Sequence, residues 1–124
     1  MLPSSISSLR RGRLLGRSDP NAELVLYAEA WARRIQLNMS PHQLRETAKQ
    51  PHTDALVTVA LRSDGSVESI AFVRSSGSPL LDEAIRDTIQ GMAPYPAFPP
   101  NLARVYDVVE IRRTWYIDSA IRLY

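Results

Sequence analysis

With 124 residues, 44% of them hydrophobic, the chain has material for one compact core and hardly a second. Cysteine is absent, which excludes a disulfide framework and thiolate chemistry, and no apolar run reaches the length of a bilayer span or resembles a secretory signal. The formal charge of +2 is uneven, with Arg10, Arg11, Arg13 and Arg17 preceding the first acid, Asp19, and eleven basic against thirteen acidic residues thereafter; a basic tail on a slightly acidic body excludes a domain that tracks a nucleic-acid backbone, which needs a basic face.

Residues 1–18, rich in Ser, Arg and Gly, read as a flexible linker whose arginines are solvated, and residues 19–124 read as one domain. Asp19-Pro20 is a helix start, because Asp caps free amides and proline is tolerated at the first helical position. Leu24, Tyr27, Ala28, Trp31 and Ile35 follow at steps of three and four, one apolar stripe on a helix running to about Leu37. Ser40-Pro41 discourages continuation, and His42 to Lys49 is expected to add a short helical turn.

Leu56 to Leu61 alternates as a strand, Asp64-Gly65 suits a tight hairpin, and the returning strand is Val67 to Arg74, ended by Ser75-Ser76-Gly77. Ser78-Pro79 opens a second helix, with Asp82 and Glu83 near the positive end of its dipole. Its stripe is Leu81, Ala84, Ile85, Thr88, Ile89 and Met92. Pro94, Pro96, Pro99 and Pro100 make Ala93 to Asn101 a stiff extended crossing without regular structure. The longest strand is Val105 to Ile117, with Val105, Asp107, Val109, Ile111, Arg113, Trp115 and Ile117 on one face and a wetter set on the other.

These elements predict an α+β domain: a three-stranded antiparallel sheet in the order second, first, third, with two helices packed on one face. The long strand then lies at an edge. Its charges, Asp107, Glu110, Arg112 and Arg113, either guard that edge or leave it a template for a guest peptide. Catalytic, metal and cofactor sites are not expected. His42 and His52 are too distant for a helical metal pair, Ser75 and Ser76 lack a nucleophile elbow, Gly65 and Gly77 are turn glycines, and Trp31 and Trp115 read as packing. A small hydrolase with a pocket near either histidine is the competing reading from another class.

The ordered set Leu56-Val-Thr-Val-Ala-Leu-Arg-Ser-Asp-Gly-Ser-Val67, Val73-Arg-Ser-Ser-Gly77, Leu81-Asp-Glu-Ala84 and Ala93-Pro-Tyr-Pro-Ala-Phe-Pro-Pro100 resembles the TonB C-terminal domain. Arg113-Thr-Trp-Tyr-Ile117 and Tyr27-Ala-Glu-Ala-Trp31 are similar to a proteobacterial subset, and the likeness covers roughly Leu24 to Ile117. The resemblance implies a periplasmic domain held by an N-terminal inner-membrane helix that lies outside this sequence. Its partners would be TonB-dependent outer-membrane receptors, bound through their TonB box, and ExbB and ExbD, which supply proton-motive energy for uptake of iron chelates and cobalamin.

Peptide docking is then expected along the edge at Val105, Asp107, Val109, Ile111 and Arg113. A further contact is expected at Ser40 and Pro41, where the family often has Tyr-Pro. The close relative is the TolA-type domain of envelope integrity, and a homodimer through the same edge stays open.

Overall fold

A computed structural model of the chain describes residues 9–38, 49, 51–117 and 121–124. Its elements are β1 (Arg11–Leu14), α1 (Ala22–Asn38), β2 (Ala55–Arg62), β3 (Val67–Arg74), α2 (Pro79–Gly91), α3 (Pro100–Ala103), β4 (Val108–Ile117) and β5 (Ile121–Leu123).

Helix α1 begins at Ala22, two residues later than Asp19-Pro20 suggests. Asn21 is the effective cap, its Oδ1 accepting the amides of Glu23 and Leu24 at 3.0 and 3.2 Å, while Asp19 Oδ1 accepts the amide of Asn21 at 2.8 Å. The expected stripe is buried, together with Ala32. Ser40, Pro41 and the turn expected over 42–49 lie outside the described residues, apart from Lys49.

The hairpin turns where Asp-Gly stands. Gly65 has φ +87, donates to the Arg62 carbonyl at 2.8 Å, and lies so close to Tyr95 that a β-carbon would come within 1.8 Å of the Tyr95 carbonyl oxygen. That approach is functional in the fold: Tyr95 N–H donates to Gly65 O at 2.8 Å and Phe98 N–H to Ser63 O at 2.9 Å. The proline-rich crossing is therefore laced onto the hairpin tip. Its other side is gripped by α1, with Tyr27 edge-on to Phe98 at 5.0 Å, Trp31 edge-on to Tyr95 at 5.9 Å, and Tyr27 Oη donating to Pro96 O at 2.7 Å. Burial pushes the Tyr27 hydroxyl up to about 12.

Helix α2 starts as read, with Ser78 Oγ accepting the Leu81 amide at 3.3 Å. The Asp82 carboxylate folds back on the preceding turn, taking hydrogen bonds from the Ser75 hydroxyl, the Ser76 hydroxyl at 2.6 Å and the Ser76 amide at 3.0 Å. Partial burial works to raise its pKa, and these donors outweigh that and hold it low. Leu81, Ile85 and Ile89 are buried, whereas Thr88 spends its hydroxyl on the Ala84 carbonyl at 2.8 Å. The crossing is not wholly irregular, because Pro100 opens the short helix α3, where a proline at the first position loses no intrahelical bond.

The sheet corrects the expected three-stranded antiparallel arrangement. Five strands run in the order β1-β4-β2-β3, with β5 also on β4. The hairpin β2-β3 and the pair β2-β4 are antiparallel, but β1 joins β4 in parallel, so the sheet is mixed. The long strand begins at Val108, not Val105, since Val105 falls in the turn that follows α3. One cluster forms the core, uniting Val57, Val59 and Leu61 of β2, Val109, Ile111, Trp115 and Ile117 of β4, and the buried stripes of α1 and α2. Both indole nitrogens, of Trp31 and Trp115, are buried without a hydrogen-bond partner.

Candidate functional site at the margin of the long strand

The margin of β4 expected to be bare is covered. β1 lies along its first half, with Arg11 opposite Val108, Gly12 opposite Val109, Arg13 opposite Glu110 and Leu14 opposite Ile111. β5 lies along its second half, with Trp115 opposite Leu123 and Ile117 opposite Ile121. The Arg-rich stretch that reads as linker thus supplies a strand, and an arm and a tail from the two ends of the chain close an edge that would otherwise recruit other chains.

Side-chain chemistry fits the arm to its place. Before the ladder starts, the Arg10 guanidinium forks onto Asp107, with Nη2 2.9 Å from Oδ1 and Nε 3.1 Å from Oδ2, and also reaches the carbonyls of Ala103 and Arg104. The hydrogen bonds from Arg10, from its side chain and then its backbone amide, hold Asp107 down to about 2. Gly12 packs under the Tyr106 ring, where a β-carbon would lie 2.8 Å from the ring. Leu14 is fully buried in the core, which contributes about 1.5 to 3 kcal/mol towards docking the arm. On the opposite face Arg11 bridges Glu68 of β3 at 2.8 Å and Glu110 of β4 at 3.3 Å, and Arg13 reaches Glu110 at 3.4 Å. These pairs are half-exposed, and each adds little alone.

The main-chain parity of β4 follows from two observations. Thr114 exchanges both its N–H and its C=O with Tyr124, and Val108 N–H donates to the Arg10 carbonyl at 3.1 Å. Because backbone groups alternate between the two sides of a strand, the even positions Val108, Glu110, Arg112 and Thr114 address the covered margin. The residues expected to receive a guest are placed otherwise. Val105 is in a turn, Asp107 precedes the strand and is engaged by Arg10, and Val109, Ile111 and Arg113 are buried core-face side chains. Asp107 holds Arg10 at the start of the arm and Arg113 holds its end at Gly16, while Val109 and Ile111 turn their side chains into the core beside it.

Arg113 fastens the end of that arm. Its Nη1 donates to the carbonyls of Gly16 and Arg112, each at 3.1 Å, so the turn leaving β1 is stitched to β4 by a guanidinium only 2% exposed. Sequence reasoning missed Arg10, Arg11, Gly12 and Leu14 as site residues. The only available signal was the alternation Arg11-Gly12-Arg13-Leu14, too short to tell a strand from a tail.

The opposite margin of the sheet, along β3, has no strand beside it among the described residues. His52 meets the carbonyl of Ile117 at 3.1 Å, and His42 is outside the described residues. Among the described residues no group of three or more potential metal ligands occurs, and no helix is long and apolar enough to cross a membrane.

Residues 27–112 match the family model for the TonB C terminal. Neither a curated protein nor a solved structure matches the chain.

Proposed function

Because the chain belongs to the TonB C-terminal family, a non-enzymatic, transport-associated group that interacts with outer-membrane receptors, we propose that it binds the TonB box of such receptors by strand addition to β4, the guest taking the place of β1. In this reading the full protein is anchored in the inner membrane, works with ExbB and ExbD, and transmits proton-motive energy for uptake of iron chelates or cobalamin. The family match is to the TonB C terminal and does not favour the TolA-type role.

The observation that carries the proposal is the parallel arm itself. The margin of β4 already holds a four-residue extended segment in defined register, from Arg11 opposite Val108 to Leu14 opposite Ile111. An edge that accepts this segment accepts another of like backbone, since the ladder is made by main-chain groups common to all residues except proline. The guest competes with a tethered rival whose effective concentration lies in the millimolar range, and each main-chain bond it gains is worth only about 0.5 to 1.5 kcal/mol net. The main-chain bonds the arm gives up are regained by the guest, so exchange is decided by the side-chain anchors each segment brings and by the guest's concentration. Homodimers through β4 would need the same release of the arm.

A titration of the ¹⁵N-labelled chain with a receptor TonB-box peptide tests this. The amides of Val108, Glu110 and Arg112 are expected to shift while those of Gly12 and Leu14 move to positions typical of free chain. A second reading rests on the open margin of β3: shifts confined to Val67–Arg74 with β1 undisturbed would assign docking there and discard the exchange mechanism.

A further inference from the structure

Between α1, β4 and β5 lies a cavity of about 160 Å³ whose wall includes Arg17, Glu29, Arg33, Gln36, Arg113 and Tyr124. Its side-chain charge is lopsided. Three arginines line it with one acidic side chain, and among the described residues none of the three forms a salt bridge with Glu29 or any other acid. Arg17 rests over the Tyr124 ring at 5.2 Å, and Arg33 is exposed on the helix.

Arg113 is the decisive member. Its Nη1 is spent on two carbonyls, but its Nη2 is buried and has no hydrogen-bond partner. An arginine does not shed its proton to escape burial, so its positive charge stays in this wall with one donor unmet. Desolvation lowers the pKa of Arg113, with Arg17 adding repulsion and Glu29 opposing it. A buried cation short of one acceptor, in a wall with excess positive charge, has the chemistry of an oxyanion receptor: the fork geometry of a guanidinium matches the spacing of carboxylate and phosphate oxygens.

We propose that this cavity receives a single oxyanion, a carboxylate or a phosphate, held between Arg17 and Arg33 against the Arg113 guanidinium. The site stands apart from the strand-addition reading, though it touches the same machinery. Arg113 also holds the Gly16 carbonyl, so an occupied cavity fixes the guanidinium that fastens the arm.

The test is a titration of the ¹⁵N-labelled chain with inorganic phosphate and, separately, with an acetylated, amidated Gly-Glu-Gly peptide. Ionic strength is held constant with sodium chloride, and the arginine side-chain Nε–Hε signals are followed. Saturable movement of the Arg113 signal is expected, weakened about tenfold by Arg33→Gln or Arg17→Gln, since each removes one charge-assisted hydrogen-bond donor. Arg113→Lys, which keeps charge but loses the fork, is expected to abolish saturation. If that variant fails to fold, the two surface variants still decide. Saturation by phosphate alone identifies a free inorganic anion, and saturation by the peptide alone identifies a partner's side-chain carboxylate. Drift that is linear and matched by added chloride, or saturation unaltered in both surface variants, overturns the proposal and leaves Nη2 to water.

Discussion

The two margins of the sheet are treated in opposite ways. Along β4, a ten-residue strand whose first eight residues keep continuous register with β2 presents a long, regular ladder, and the chain spends segments from both of its ends to cover it. Along β3, eight residues have no strand beside them among the described residues, but their pairing with β2 is broken by register shifts near both ends and the strand carries Glu68 and Arg74. Irregular, charged edges discourage pairing, whereas long regular ones invite it. The difference teaches that covering is applied where recruitment would otherwise be strongest, and in the strand-addition proposal the cover on β4 is what a guest has to displace.

The sharpest way to break this contrast is Leu14→Asp. A carboxylate has no place in the fully buried Leu14 pocket, so the arm should leave. Amide exchange at Val108 and Glu110 should quicken by about ten- to a hundredfold, the factor carried by burial of one leucine side chain, and affinity for a TonB-box peptide should rise. Unchanged exchange with an unchanged melting temperature would mean that the arm does not guard the strand.

Gly12→Val is expected to do less. Its side chain would meet the Tyr106 ring, and such overpacking costs about 1 to 3 kcal/mol, partly relieved if the ring turns aside. Thermal unfolding should shift down by a few degrees, and β1 amides should lose protection before those of β2. Equal loss of protection in both strands would indicate that β1 unfolds only with the whole domain.

The smallest effect concerns pH. Asp107 is held down to about 2 by Arg10 in the folded chain, against an ordinary carboxylate value near 3.9 when unfolded. Its contribution to holding the arm is thus fully present above about pH 4 and is lost as pH falls through about 2. Protection of β1 amides should be flat from pH 5 to 8 and decline in acid before that of β2, and Asp107→Asn should remove the acid dependence specific to β1. A titration step near neutrality would point to a different group.

What was legible from residues alone were the elements whose pattern is local. The Leu24–Ile35 stripe, the Asp64-Gly65 turn and the Ser78-Pro79 cap each contain their own reason for folding, in a helical period, a positive φ and a free amide. The role of the prolines was half legible. They announce a stiff crossing, but not that Tyr95 and Phe98 would lace it to the hairpin or that Pro100 would begin a helix.

The sequence by itself determined the two longer helices, the hairpin, most of the long strand and the family. Only the tertiary structure decided which backbone face of that strand is reachable. Arg11–Leu14 and Ile121–Leu123 are too short to signal strands, and they become strands because β4 offers them unpaired amides and carbonyls. Arg113 reads as an edge charge, a guard or a peptide contact, for the same reason: its burial depends on Gly16, α1 and β5, which meet it only after the chain has closed on itself. Pairing between distant segments is settled by hydrogen-bond satisfaction across the whole sheet, and no window of neighbouring residues contains that information.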